Sequence, residues 1–164
     1  MPTVIGGTIY VCGYAVREVM PKDLKAKKYW IAGHGMGKTL DRVHDPITVS
    51  AMWYGTDENA GIIHISADII GLTNFEVNIV RDSLKDFCAK SNCKGITISC
   101  THTHGGFDTV GYWGQLYKLQ TGKDKEYMDL LLRSLKEVAE EAYANRKEGK
   151  LFVGTVHVPD AQYD

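Results

Sequence analysis

The fold is decided by residues 47–70, which read ITVSAMWYGTDENAGIIHISADII. Two apolar runs, at residues 47–54 and 61–70, are rich in the β-branched and aromatic side chains that favour strands. Between them, residues 55–59 (GTDEN) combine glycine with side chains that favour turns. We therefore predict a β-hairpin at the centre of the chain.

The sequence on either side of this hairpin predicts further strands and helices. The strands are expected at residues 8–17, 96–100 and 150–158, and the helices at residues 73–92 and 124–149. The first helix opens with a capping box, in which Glu76 follows Thr73. Strands linked by helices indicate an α/β fold, and the hairpin makes its sheet mixed. We predict a mixed β-sheet flanked by helices, in a single domain over residues 1–164.

Composition narrows the class of protein. The chain has 164 residues, of which 44% are hydrophobic and 24% charged, which excludes a disordered or fibrous protein. Its 19 basic and 20 acidic residues give a net charge of -1, so no nucleic-acid partner is expected. No apolar run reaches the roughly 18 residues of a transmembrane segment. Residues 1–10 show no signal peptide, so the cytoplasm is the default expectation, and the oligomeric state is not indicated.

The most informative motif is SCTHTHGG at residues 99–106, where a predicted strand gives way to a polar, glycine-rich loop. His102 and His104 point the same way if the backbone stays extended. Imidazole serves as a metal ligand or a base, and α/β proteins place ligands at the carboxyl ends of strands. Gly105 and Gly106 leave room beside the histidines for a substrate or metal. The alternative is that both histidines pack in a polar loop.

Further polar residues are candidates for a supporting role. His44 and Asp45 precede Pro46 at the start of the hairpin, where Asp45 either orients a histidine or forms a turn. Asp68 lies in an apolar strand, where a carboxylate needs a partner, and we expect it to hold a ligating histidine or the local backbone. His64 shares a strand face with Asp68 and is interpreted as a core histidine.

Residues 32–39, AGHGMGKT, fit a relaxed phosphate-loop pattern, in which Lys38 contacts phosphates and Thr39 binds magnesium. A phosphate loop leads into a helix whose N-terminus faces the anion. Here Pro46 follows too closely and disfavours a helical conformation at Asp45. Nucleotide binding through residues 32–39 is therefore the weaker alternative, and a glycine-rich surface loop is favoured.

Four motifs occur together in order: HDPITVSA at residues 44–51, ISAD at 65–68, THTHGG at 101–106 and DTVGYWG at 108–114. This ordered set resembles the N-terminal part of the neutral/alkaline non-lysosomal ceramidase family, over about residues 8–158. The set is more specific than THTH alone. The resemblance implies either the N-terminal part of a larger domain or a short relative whose site is rebuilt or lost.

The resemblance implies a zinc-dependent amide hydrolase, in which metal-activated water attacks the amide carbonyl of a small-molecule or lipid substrate. By this resemblance His102 binds Zn²⁺, and His104 contacts the substrate or the developing oxyanion. His34 stands where the family often has an aromatic residue and is a candidate for an added ligand. The substrate loop would contain Gly105, Gly106, Tyr112 and Trp113.

A catalytic zinc ion usually has three protein ligands, and the resemblance assigns only His102 in this chain. The alternative to the hydrolase is therefore an incomplete or non-catalytic domain that binds a metal or a partner.

Overall fold

The computed structural model describes residues 3–4, 9–57 and 60–159. The strands in these ranges are β1 (Thr3–Val4), β2 (Tyr10–Glu18), β3 (Thr48–Asp57), β4 (Ala60–Ala67), β5 (Cys93–Cys100), β6 (Lys147–Gly149) and β7 (Phe152–Val153). Five of them form one sheet in the order β5-β4-β3-β2-β6, and β1 pairs with β7. β4 and β5 run parallel, whereas the other neighbours are antiparallel. The predicted mixed sheet is confirmed.

The predicted hairpin forms the middle of this sheet. β3 and β4 pair with Ala51 opposite Ile65, and the register shifts between Gly55 and Asp57 as the turn begins. Residues 58 and 59 of the predicted turn lie outside the described residues. β2 and β5 correspond to the strands expected on either side of the hairpin, although β5 already begins at Cys93.

The helices of the described ranges are α1 (Asn74–Ser83), α2 (Lys85–Ser91) and α3 (Lys125–Ala144). The prediction of one continuous helix at residues 73–92 is wrong, because the backbone breaks at Leu84 (φ -100°, ψ 1°). Leu84 is fully buried, so its packing outweighs the helical propensity of the segment. None of the described helices is both long and apolar enough to cross a membrane.

The C-terminal part of the described chain differs from the prediction. α3 ends at Ala144 rather than Gly149, because residues 147–149 form β6 and extend the sheet beside β2. The strand predicted at residues 150–158 is present only as β7. His157 lies beyond β7 and is exposed.

One face of the five-stranded sheet carries the hydrophobic core. α3 packs across β2, β3 and β4, and its buried stripe includes Leu131, Leu135 and Val138. This stripe meets alternate side chains of the strands, such as Trp53 and Ile65, which are fully buried. Burying one large aliphatic side chain contributes about 1.5–3 kcal/mol, so this face supplies most of the stability.

The opposite face, which we call the open face, carries no helix among the described residues. Its side chains alternate with those of the core and include Tyr14, Met52, Ile62 and His64. Tyr14 is 52% exposed and Ile62 is 48% exposed. His64 is therefore not the core histidine that we expected: it is half-buried on the open face.

A buried ion pair fastens α1 to the loop that precedes α3. The Glu76 carboxylate accepts hydrogen bonds from the Thr73 amide at 3.0 Å, as the capping box predicts, and from the Thr73 hydroxyl. It also lies 2.5 Å from Lys123 Nζ, with only 6% of its side chain exposed. Burial alone would raise the pKa of Glu76, but the hydrogen bonds from Lys123 and Thr73 outweigh burial and hold it below its usual value.

We predict that protonation of Glu76 lowers the stability of the protein in acid. Because its pKa is depressed on folding, its contribution is complete above the unfolded pKa of about 4.5 and is lost as the pH falls through the folded value. Glu76→Gln should flatten the dependence of the unfolding free energy on pH below about 5, measured by urea denaturation. Glu140→Gln, which removes a partly exposed partner of Lys136, is the control and should keep the original slope. An unchanged slope in Glu76→Gln would contradict the prediction.

Candidate functional site

Two loops form the candidate site, and their backbones are bonded to each other. We call residues 32–39 the glycine loop and residues 101–113 the histidine loop. The Ala32 amide donates to the Gly106 carbonyl at 3.0 Å. The side chains of the two loops therefore share one surface.

A buried carboxylate folds the histidine loop. Asp108 is 1% exposed, and its carboxylate accepts hydrogen bonds from the amides of Val110 (3.0 Å), Gly111 (2.6 Å) and Trp113 (2.8 Å). The Trp113 carbonyl in turn accepts a bond from the Gly37 amide at 3.0 Å. The placement of the glycine loop therefore depends on Asp108.

This role of Asp108 was not predicted, although a local signal existed. An aspartate ahead of a glycine-containing turn often bonds to amides two or three residues later. Its neighbour Thr109 was missed as well. The Thr109 hydroxyl donates to the Gly71 carbonyl at 2.6 Å and ties the histidine loop to the chain that follows β4.

His102 is held by the backbone that follows β4. Its amide donates to the Ile69 carbonyl at 3.1 Å, and its Nδ1 lies 2.7 Å from the Ile70 carbonyl oxygen. A carbonyl oxygen can only accept, so Nδ1 donates the proton, and in the neutral imidazole Nε2 has the lone pair. The residue has a left-handed backbone (φ 62°), which histidine adopts more readily than most residues.

The rings of His34, His102 and His104 form a cluster. The centroids of the His102 and His104 rings are 5.2 Å apart, and those of the His34 and His104 rings are 6.1 Å apart. The rings of His102 and His104 are therefore neighbours. The expectation that they point the same way assumed an extended backbone, whereas the backbone at His102 is left-handed. The glycine loop brings His34 to the cluster.

Gly33 makes the approach of the glycine loop to His104 possible. A Cβ at position 33 would lie 2.3 Å from Cγ of His104, and the backbone of Gly33 is left-handed (φ 83°). Gly35 has a similar conformation (φ 92°), but a Cβ there would meet nothing within 4 Å. Position 33 is therefore restricted twice, by its backbone and by the His104 ring.

The glycine loop does not lead into a helix. Thr39 forms an isolated bridge with Trp30, and the Lys38 carbonyl accepts a hydrogen bond from the Ile31 amide at 3.0 Å. Residues 40–47, which follow, contain no helix. The phosphate-loop alternative therefore lacks the helix N-terminus that would face an anion.

His102 makes the hydrogen bond that is usual for a metal-binding histidine. Histidines that bind metals usually donate their other ring N–H to a carbonyl or carboxylate, as His102 does to Ile70. In the part of the chain that the structure describes, however, no three His, Cys, Asp or Glu side chains converge closely enough to hold a metal ion. A complete three-ligand catalytic site is therefore not formed by these residues alone.

A cleft of about 510 Å³ lies beside the histidine loop. Thr103 and Gly105 line it, whereas His102 and His104, which alternate with them, do not. Much of its remaining wall is apolar and includes Met20, Leu24, Ile47 and Phe107. The cleft and the histidine cluster are therefore neighbours on the same loop.

The predicted supporting residues His44, Asp45 and Asp68 line this cleft. The Asp68 carboxylate accepts a hydrogen bond from the Thr48 hydroxyl at 2.7 Å and so braces the start of β3 against the end of β4. Asp68 does not orient His102, because the ring nitrogen Nδ1 of His102 bonds to the Ile70 carbonyl instead. His44 Nδ1 and Asp45 form an exposed pair at 2.6 Å, and this hydrogen bond raises the pKa of His44.

The residues predicted for the substrate loop separate into different environments. Gly105 lines the cleft, but Gly106 is buried, and a Cβ there would lie 3.2 Å from Ile47. Tyr112 is 71% exposed beside a separate shallow depression. Trp113 contributes its backbone to the loop contacts, and neither aromatic residue lines the cleft.

Comparison with known proteins supports the fold. No family model matches the sequence, and neither does any curated protein. Among solved structures, the crystal structure of neutral ceramidase from Pseudomonas aeruginosa matches with a TM-score of 0.67 and 11% identity. The match covers 86% of this chain but 22% of the ceramidase chain, so this protein spans about a fifth of that length. At this identity, the likeness shows a shared fold.

We predict that Gly33→Ala displaces the His104 ring, whereas Gly35→Ala does not. Both substitutions force alanine into a left-handed conformation, at a cost of about 1–2 kcal/mol, but only the first places a methyl group against the ring. NMR signals of the His104 imidazole measure the displacement. Unchanged His104 signals in Gly33→Ala, or equal shifts in both variants, would show that the contact does not position the ring.

We also predict that Asp108→Ala lowers the free energy of unfolding by about 3 kcal/mol or more, because its three amide donors lose a buried acceptor. Asp108→Asn keeps one carbonyl oxygen and should cost less. Asp86→Ala, at an exposed position on α2, is the control and should change stability by no more than about 0.5 kcal/mol. Urea denaturation measures all three, and similar losses in Asp108→Ala and Asp86→Ala would refute the role of Asp108.

Proposed function

We propose that this chain carries part of the zinc site of an amide hydrolase, with His102 as a metal ligand. The observation that carries the proposal is the 2.7 Å contact between His102 Nδ1 and the Ile70 carbonyl oxygen. This contact fixes the tautomer in which Nε2 has a free lone pair, as zinc binding requires. The fold that the chain shares with the solved neutral ceramidase supports the same proposal.

The neighbours of His102 fit the reaction. When bound, Zn²⁺ lowers the pKa of water and polarises a carbonyl group. His104 lies beside His102 and would donate a ring N–H to the carbonyl oxygen of the substrate as negative charge develops there. Gly33 fixes the ring of His104 for this task, because the glycine loop packs directly on it.

The cleft beside the histidine loop fits an amide with an apolar part. Its apolar side chains would hold an acyl chain, while Thr103 and Asp68 provide polar groups at the same wall. We therefore propose a small-molecule or lipid amide as the substrate class. Residues 101–105 would place the reacting carbonyl, since they carry both the histidines and part of the cleft lining.

The second candidate is a domain that binds a metal or a partner without catalysis. It is favoured by the lack, within the described ranges, of three converging ligand side chains. For the hydrolase, the further ligands would have to come from outside these residues. Metal binding and amide cleavage therefore need separate tests.

Zinc affinity tests the assignment of His102. We predict that the chain binds Zn²⁺ weakly, as measured by NMR titration of its histidine signals, and that His102→Ala removes this binding, because Nε2 is lost. His157→Ala removes an exposed histidine beyond β7 and is the matched control, with no change expected. Equal affinity in His102→Ala and the unaltered chain would overturn the metal site.

Release of a primary amine from an N-acyl amide with an apolar acyl chain then tests catalysis. Zinc-dependent release that is lost in His102→Ala would support the hydrolase. Zinc binding without any release would support the non-catalytic candidate instead.

A further inference from the structure

A separate cluster of polar side chains lies on the open face, at the parallel pair β4 and β5. In this register His64 is opposite Thr97, and Ser66 is opposite Ser99. His64 Nδ1 lies 2.8 Å from the Thr97 hydroxyl oxygen, and His64 Nε2 lies 3.2 Å from the Ser99 hydroxyl oxygen. The proposed hydrolase site uses none of these side chains.

The hydrogen bonds of the cluster allow a proton arrangement in which the Ser99 hydroxyl donates to His64. The Thr97 hydroxyl donates to the Ile63 carbonyl at 3.4 Å, so its oxygen is left to accept the bond from His64 Nδ1–H. His64 Nε2 then has the lone pair, and the Ser99 hydroxyl donates to it. In this arrangement the Ser99 proton points at His64 Nε2.

A hydroxyl bonded to an imidazole that a third group orients is the arrangement of an activated nucleophile. We propose that Ser99 is an acyl-accepting nucleophile, that His64 is its general base, and that Thr97 positions the His64 ring. Ser99 is exposed, so an ester can reach it. The 3.2 Å separation lies in the range found before a substrate tightens such contacts.

The reaction is a transfer of an acyl group from an activated ester. The Ser99 oxygen forms a bond to the carbonyl carbon, and its proton moves to His64 Nε2. The bond from that carbon to the leaving oxygen breaks. The leaving group departs as an alcohol or phenol with the proton from His64, or as a phenolate while the imidazolium loses that proton to solvent, so His64 is neutral again. Hydrolysis follows when water, losing a proton to His64, attacks the acyl carbon and the Ser99 oxygen leaves with a proton from the imidazolium.

The surroundings of the cluster favour an apolar, uncharged acyl group. Met52 is opposite His64 in the β3–β4 register, and Tyr14 is opposite Met52 in the β2–β3 register. Ile62 lies on the same face two residues before His64 and is half-exposed. These side chains form an apolar strip that ends at His64, the hydrogen-bond partner of Ser99.

Reaction with p-nitrophenyl butyrate tests the proposal. We expect release of p-nitrophenolate together with one butyryl group on Ser99, located by peptide mass mapping. Ser99→Ala and His64→Gln should each slow this release by about 100-fold, the scale of general-base catalysis. Ser66→Ala, the neighbouring serine in the same register, is the matched control and should react as the unaltered chain does.

The positioning role of Thr97 has its own test. Thr97→Val should slow the reaction because it removes the acceptor for His64 Nδ1–H, and Thr97→Ser should restore it. A chelator should leave the reaction unchanged, which separates it from the metal site at His102. The proposal is overturned if the release is as fast in Ser99→Ala or His64→Gln as in the unaltered chain, if Thr97→Ser fails to restore it, or if a chelator abolishes it.

Discussion

The candidate site depends on the burial of one carboxylate, that of Asp108. Its two oxygens accept hydrogen bonds from three backbone amides. A Cβ on Gly122 would lie only 1.9 Å from Oδ2 of Asp108, so the chain also passes close to the carboxylate there. A buried carboxylate without such donors would be strongly unfavourable, so the histidine loop has to wrap around it. Because Trp113 also bonds to Gly37, the same wrapping sets the glycine loop against His104. The hydrogen bonds that the buried Asp108 carboxylate requires thus determine how the glycine loop and His104 are arranged at the surface.

The fold was predictable where a local pattern and the global packing agree. The hairpin at the centre of the sheet and the amphipathic α3 follow from periodicity, because one face of each is buried against the other. The break at Leu84 was not predictable, since it depends on how deeply a single leucine packs. The end of α3 was missed for a similar reason: residues 147–149 gain a pairing with β2 that lies far away in the sequence.

The sequence predicted that His102 and His104 lie together, but it did not reveal their hydrogen-bond partners. The pair of histidines followed from THTH, but their orientation comes from a left-handed His102 and the carbonyl of Ile70, which no spacing rule reveals. Asp68 was correctly expected to need a partner, and that partner is Thr48 across the hairpin. His64 was assigned to the core because an alternating strand has two faces and the sequence did not show which of them α3 covers.

The left-handed backbone of His102 lowers stability at a position whose imidazole belongs to the candidate site. A non-glycine residue in this region carries a conformational cost of about 1–2 kcal/mol, which the surrounding hydrogen bonds offset. Glycine would relieve that cost and at the same time remove the imidazole. Glycine would also lose the hydrogen bond to the Ile70 carbonyl and more chain entropy on folding, so the two residues at position 102 differ less in stability than the backbone angle alone suggests.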